Sequence, residues 1–163
     1  MSIPSEISPD EVISRSGGDI PISLPSEISP GEMLLRSVRK KDVNRADCLI
    51  KIAALKPGKN DRQALSLIRG RIGAEESVIA AKENVHGEDF WGFGQSSAST
   101  LDDHSISIDD DRETFFGHAN MILGYEIPPG PPNTPPEMTE AYAEARRKLI
   151  ALAAAFQVLP AVS

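Results

Sequence analysis

The sequence is poor in cysteine and in aromatic residues, and it lacks long hydrophobic runs. Cys48 is the single cysteine among 163 residues, so no internal disulfide can form, and a reducing compartment fits this usage. Aromatic residues make up 5% of the chain, which excludes a core filled mainly with large rings. No apolar run approaches the length of about 18 residues that a membrane helix needs. We therefore expect a location in the cytoplasm or within a particle, with no transmembrane segment and no signal peptide.

Recognisable catalytic and cofactor motifs are also absent from the sequence. The segment 92–94 lacks the third glycine of a dinucleotide fingerprint, and the segment 56–59 lacks the hydroxyl residue of a phosphate-binding loop. Cys48 has no histidine near it in sequence, and no pair of carboxylates is recognisable as an acid–base couple. The acidic segments 102–104 and 109–111 do not match the spacing of a calcium loop. The sequence therefore predicts a protein that is not an enzyme and has no cofactor and no metal site.

Charge is distributed unevenly along the chain. The formal net charge of −7 argues against a general binder of polyanions. Residues 36–71 nevertheless hold eleven Lys or Arg residues and three acids, whereas residues 72–126 hold twelve acids and two basic residues. The basic segment could contact phosphates or an acidic partner, or it could be neutralised by the acidic segment of its own chain. The candidate contacts with phosphate or an acidic partner are Arg39, Lys40, Lys41 and Arg45.

The most distinctive feature is an internal repeat at an offset of 21 residues. Residues 2–16 read SIPSEISPDEVISRS and residues 23–37 read SLPSEISPGEMLLRS, with identity at ten of these fifteen positions. In each copy a proline favours an extended approach, and Ser-Pro-x-Glu then has the pattern of a helix capping box. Two copies of one motif can bind two equivalent sites of a partner, whereas the alternative is a duplicated disordered tail. The candidate partner-binding residues of the repeat are Pro4, Ile7, Pro25 and Ile28.

The last part of the chain combines a proline-rich segment with an apolar seam. The prolines of 128–136 predict a stiff spacer. The helix expected after it, at about 137–158, has apolar residues at intervals near 3.5, which suits long contact with another helix. That helix could pack on its own chain or on a neighbouring subunit. The candidate association residues of the seam are Tyr142, Leu149 and Phe156.

Apolar spacing predicts helices in most of the remaining chain. A helix is expected to run from the second repeat into the body through Leu34, Leu35 and Val38, and one short strand is expected at Ile106 and Ile108. The predicted fold is mainly α: a small helical bundle with an extended, internally repeated N-terminal arm, a long polar loop and a C-terminal helix after a polyproline spacer. Further helices are expected over about 42–55, 60–73, 74–84 and 111–123.

The expected organisation has five parts. The sequence predicts an arm at 1–30, a basic helical unit at 31–85, an acidic loop and helix at 86–126, a Pro-rich spacer at 127–136, and a C-terminal helix at 137–163.

The function expected from these features is that of a non-enzymatic structural or adaptor subunit of a larger assembly, for example a phage or virus particle. Its expected partners are proteins, repetitive or oligomeric, and no membrane contact is expected. One alternative is a nucleic-acid-associated regulator or packaging factor that uses the basic segment 36–71. A further alternative is a bacterial effector or an acidic inhibitor protein.

Overall fold

A six-stranded antiparallel sheet forms the centre of the computed structural model, which describes residues 11–13, 21–56 and 64–160. Two short strand pairs lie outside this sheet, namely Glu11–Ile13 (β1) with Pro21–Ser23 (β2), and Val43–Asn44 (β4) with Leu49–Ile50 (β5). In spatial order the sheet consists of Gln157–Pro160 (β10), Phe90–Ser97 (β7), Met33–Arg39 (β3), Ala64–Arg69 (β6), His118–Leu123 (β9) and Ile106–Asp110 (β8).

Three α-helices accompany the strands in the described part of the chain. They are Ala74–Asn84 (α1), Ala98–Asp103 (α2) and Thr139–Ala154 (α3). None of them is long and apolar enough to cross a membrane. The short 3₁₀ helices are Lys40–Asp42, Ile52–Leu55, Gly70–Ile72, Gly87–Asp89 and Pro136–Met138.

The prediction of a mainly α-helical bundle is wrong, because the centre of the structure is a sheet. The error is clearest in β3, where Leu34 and Val38 are buried in one hydrophobic cluster and Leu35 in another. A strand that is buried on both faces loses the alternation of apolar and polar residues that identifies a strand. The spacing of these three residues then fits a helix equally well, and pairing with β6 and β7 decides the outcome.

Other segments divide into confirmed and corrected predictions. The helix at 74–84 is confirmed as α1, the short strand at 106–108 lies within β8, and the last helix is confirmed as the shorter α3. The helix expected at 42–55 is wrong, because this segment forms β4, β5 and a 3₁₀ helix. In its described part, the segment 60–73 forms mainly β6 in place of a helix. The segment 111–123 likewise forms mainly β9. Local apolar spacing was misleading in these segments because long-range strand pairing overrides weak helical preferences.

Two hydrophobic clusters hold the layers together, one on each face of the sheet. The first lies under α3 and the second lies under α1. Leu149 and Leu152 of α3 are fully buried in the first cluster, so the seam predicted from the sequence packs on this chain. In the second cluster, Ala80 and Ala81 of α1 let the helix approach the strands closely.

Gly94 in β7 lies where a side chain would collide with the first cluster. A Cβ atom built there would lie 2.3 Å from Cδ1 of Ile50 and 3.2 Å from Cβ of Phe156. Glycine at this position therefore allows β5 and the end of the α3 segment to pack directly on the sheet.

Replacement of Gly94 by alanine should lower the free energy of unfolding by about 1–3 kcal/mol, because the added methyl group overpacks this contact. Gly31→Ala is the matched control, since nothing lies within 4 Å of a Cβ atom at that position. Its effect should stay within about 0.5 kcal/mol. Urea denaturation of both variants measures the difference, and equal midpoints would contradict the packing described for β7.

Candidate functional site

A buried arginine at the end of β6 joins three parts of the chain. The side chain of Arg69 is 0% exposed, and its guanidinium contacts both carboxylate oxygens of Glu32, at 2.5 Å from Nε and 2.7 Å from Nη2. Nη1 also donates to Asp110 at 2.7 Å and to the carbonyl of Pro25, and Nη2 donates to the carbonyl of Glu27 at 3.3 Å. We call this arrangement the Arg69 clasp.

Arg69 holds two carboxylates in the clasp, and Arg112 supplies a second cation to Asp110 at 2.9 Å. Burial alone would raise the pKa of Asp110, but hydrogen bonds from Arg112 and Arg69 outweigh it, so the pKa lies below its ordinary value. Burial likewise disfavours the charged form of Arg69, yet the two carboxylates hold the pKa of its guanidinium above the usual range. The carboxylates of Glu32 and Asp110 therefore share one guanidinium cation through charge-assisted hydrogen bonds.

The second copy of the sequence repeat is bound at this clasp. Besides the carbonyls of Pro25 and Glu27, the carbonyl of Leu24 accepts from Arg112 at 2.8 Å. Further along, the carbonyls of Pro30 and Glu32 accept from the backbone amides at the start of α2, at 2.8 and 2.9 Å. The segment 24–32 is thus held mainly through its backbone, and the capping box predicted at 29–32 does not begin a helix. The capping box predicted at 8–11 lies mostly outside the described residues.

The candidate docking residues of the repeat have unequal outcomes. Ile28 is half-buried against the first hydrophobic cluster, and Pro25 is half-buried with its carbonyl on Arg69. Both residues therefore make contacts within their own chain. Pro4 and Ile7 lie outside the described residues.

A second polar chain connects β6 to β9. The imidazole of His118 contacts the Ser66 hydroxyl at 2.9 Å through Nε2 and the Asp111 carboxylate at 3.0 Å through Nδ1. This order of groups is one in which a carboxylate orients an imidazole toward a hydroxyl. Thr114 donates to Asp111 at 2.6 Å, and this bond contributes most to the lowered pKa of that carboxyl. Since the His118 side chain is 5% exposed and both ring nitrogens have partners, these contacts fix the strands to each other.

An open groove lies between α1 and the strands β3, β7 and β10. Its volume is about 810 Å³, and its lining is mostly apolar. Among the described residues of the lining, Glu75, near the start of α1, is the only charged one. We call this feature the α1 groove, and its principal apolar residues are Met33, Leu35, Val78, Ile79, Phe93 and Leu159.

The α1 groove continues to an edge of the sheet. Strand β10 pairs with β7 on one side, and in the part of the chain that the structure describes no strand pairs with its other side. Val158 packs against the first hydrophobic cluster, whereas Leu159 lines the groove. The apolar groove and the unpaired backbone edge are therefore next to each other.

The candidate basic contacts lie at the end of β3 and just after it. Nε of Arg39 forms an ion pair with the Asp42 carboxylate at 3.0 Å, so this cation already has an acidic partner within the chain. Lys40, Lys41 and Arg45 are exposed. The imidazole of nearby His86 contacts the carbonyl of Ser37 at 3.0 Å, and burial lowers the pKa of His86 below its ordinary value.

The candidate association residues of the C-terminal helix lie mostly inside the protein. Leu149 and Phe156 are buried in the first cluster, and Tyr142 is half-buried beside Gly130. Within the residues that the structure describes, no group of three or more His, Cys, Asp or Glu side chains is placed to hold a metal ion.

Comparison with family models, with curated proteins and with solved structures gives no match for this chain. The expectation of a virus-particle component has no support from these comparisons, and we withdraw it together with the α-helical description.

Sequence reasoning missed the residues that form the clasp and the groove. In the sequence, Arg69 is one of the eleven basic residues of the segment 36–71, and Glu32 is the last residue of the second capping-box pattern. Their contact joins positions 37 residues apart, which local spacing does not reveal. The signal that could have found them is the repeat itself, because a retained Pro-Ser-Glu-Ile-Ser-Pro-x-Glu pattern indicates one set of contacts.

Replacement of Arg69 by methionine should lower the free energy of unfolding by about 3–5 kcal/mol, because it leaves buried carboxylates without their cation. Arg71→Met is the matched control, since Arg71 lies two residues away and is exposed. Its effect should stay within about 0.5 kcal/mol. Chemical denaturation of the two variants distinguishes them, and similar losses would show that the clasp does not stabilise the fold.

Stability should also fall on mild acidification because of His86. The pKa of this half-buried imidazole is lower in the folded chain than its ordinary value of 6.5, so the unfolded chain takes up the proton first. The free energy of unfolding should therefore decrease as the pH falls below 6.5, and His86→Gln should remove this part of the decrease. Denaturation at a series of pH values measures it, and parallel profiles for both proteins would refute the assignment.

Proposed function

We propose that this protein is a non-enzymatic adaptor that binds an extended segment of a partner protein in the α1 groove. The observation that carries the proposal is the position of the groove beside the unpaired edge of β10. An exposed strand edge offers backbone donors and acceptors that an extended peptide can pair with, and a neighbouring pocket provides side-chain selectivity.

The alternation of side chains along β10 supports this mode of binding. A strand added beside β10 would continue the sheet, and every second side chain of that strand would lie on the face that carries Leu159. Phe93 and Leu35 line the groove on the next strands of the same face, and Met33 is 38% exposed there. The ligand therefore needs apolar side chains at alternate positions.

Charge favours a protein partner over a nucleic acid. As far as the structure describes the lining, it contains Glu75 and no Lys or Arg, so these residues would offer a phosphate backbone a carboxylate and no cation. The matching ligand carries a Lys or Arg near the end that faces α1. Binding through the apolar surface would also cover the exposed Met33 side chain.

The proposal can be tested by selecting peptides from a random library displayed on phage against the full chain. Enriched sequences should alternate apolar residues and carry one basic residue, and a synthetic copy should bind in solution. N-methylation of alternate backbone amides in that peptide should abolish binding, because it removes the donors that pair with β10.

Val78→Asn is the informative variant, since it replaces an apolar residue of the lining by an uncharged polar one and should weaken binding by at least about tenfold, or 1.4 kcal/mol. Ile150→Asn is the control, because Ile150 is 46% exposed on α3 on the opposite side of the sheet, and its binding should be unchanged. Peptides that bind both variants equally would place the docking site elsewhere. Peptides that tolerate N-methylation would exclude strand addition.

A further inference from the structure

The sequence repeat and the Arg69 clasp together define a second interaction. The clasp holds the segment 24–32, of which seven of nine residues recur in the segment 3–11. The contacts that hold 24–32 therefore serve as a template against which the first copy can be compared, residue by residue.

Most contacts with the bound segment do not depend on side-chain identity. Backbone carbonyls at 24, 25, 27, 30 and 32 accept hydrogen bonds from Arg112, Arg69 and the amides of Ala98 and Ser99. Any segment with the same backbone path can make these contacts. The prolines that favour this path are present at the same positions in both copies.

The side chains of Leu24, Ile28 and Glu32 in the bound segment contact the rest of the fold, and the first copy has an identical or similar residue at each of these positions. Leu24 is 0% exposed in the second cluster, Ile28 packs on the first cluster, and Glu32 binds Arg69. The corresponding residues of the first copy are Ile3, Ile7 and Glu11.

The single further difference between the segments fits the available space. The first copy has Asp10 where the bound copy has Gly31, and nothing lies within 4 Å of a Cβ atom built at Gly31. The similarity of the two copies does not extend to the buried residues of β3. Where β3 has the buried residues Leu35 and Val38, the first copy has Ser14 and Gly17. The first copy can therefore replace 24–32 at the clasp, but it cannot replace β3.

We propose that residues 3–11 are a second ligand of the Arg69 clasp and exchange with residues 24–32 of the same chain. In the exchanged form Glu11 contacts Arg69, β3 keeps its place, and the released segment 24–32 joins the loop between Glu11 and Met33. This exchange breaks the pairing of β1 with β2, which the structure shows for three residue pairs, so the form with 24–32 bound is favoured.

The exchange predicts that Glu11 substitutes for Glu32 when Glu32 is lost. Thermal unfolding of four full-length chains tests this: the wild type, Glu11→Gln, Glu32→Gln and the double variant. Glu11→Gln alone should leave the midpoint unchanged, and Glu32→Gln should lower it by less than half of the shift seen in the double variant. Additive shifts, or a Glu32→Gln chain that is as unstable as the double variant, would overturn the proposal.

Glu6→Gln combined with Glu32→Gln is the matched control. Glu6 corresponds to Glu27, which is exposed and contributes its carbonyl to the clasp, so this pair should behave like Glu32→Gln alone. The midpoints are compared at low and high protein concentration. The quantity compared is the difference between the midpoints of Glu32→Gln and the Glu11→Gln, Glu32→Gln double variant. A difference that does not depend on protein concentration supports exchange within one chain. A difference that grows with concentration would assign the ligand to a second copy and overturn the proposal.

A second measurement does not require a destabilised variant. In the wild-type chain the amides of Ala98 and Ser99 should show NMR relaxation dispersion, because their acceptors change between the two copies. Glu6→Gln should retain this dispersion and Glu11→Gln should suppress it. Dispersion that is absent from the wild type, or that persists in Glu11→Gln, would contradict the exchange.

Discussion

The rest of the structure depends on the buried cation of Arg69. This one side chain binds the segment before β3 through Glu32 and the end of β8 through Asp110, while its own backbone belongs to β6. A buried guanidinium is tolerated because five hydrogen bonds and two carboxylates replace the water that it loses. Removal of either carboxylate would leave part of this buried charge uncompensated, so the contacts fix the three parts of the chain together.

That constraint explains why the second copy of the proline-containing repeat is part of the fold. Proline favours an extended backbone and cannot donate a hydrogen bond, so the segment 24–32 can only present carbonyls where prolines stand. Arg69, Arg112 and the first amides of α2 supply donors for those carbonyls. The same logic underlies the proposed exchange, because a ligand recognised through carbonyls, two apolar side chains and one carboxylate is fully specified by the repeated motif.

The two faces of the sheet differ in how completely they are covered. On one face α3 buries Leu149 and Leu152, so the apolar seam predicted from the sequence packs against the sheet of the same chain. On the other face α1 covers the centre and leaves the α1 groove beside β10. The adaptor function that we propose uses this region, which the described residues leave uncovered, and the clasp holds the adjoining strand in position.

The sequence by itself determined features that depend on neighbours along the chain. Gly73 and the residues after it specify α1, the spacing of Ala145, Leu149 and Leu152 specifies the buried side of α3, and the alternation of Ile106 and Ile108 specifies β8.

Tertiary structure alone decided the sheet and both candidate sites. Leu34, Leu35 and Val38 have a spacing that suits a helix or a buried strand, and only pairing with β6 and β7 selects the strand. The partners of Arg69 lie 37 and 41 residues away in sequence, so no local pattern assembles the clasp. The groove likewise needs Val78 from α1 and Leu159 from β10. Local preference is worth a few tenths of a kcal/mol per residue, and burial in long-range contacts outweighs it.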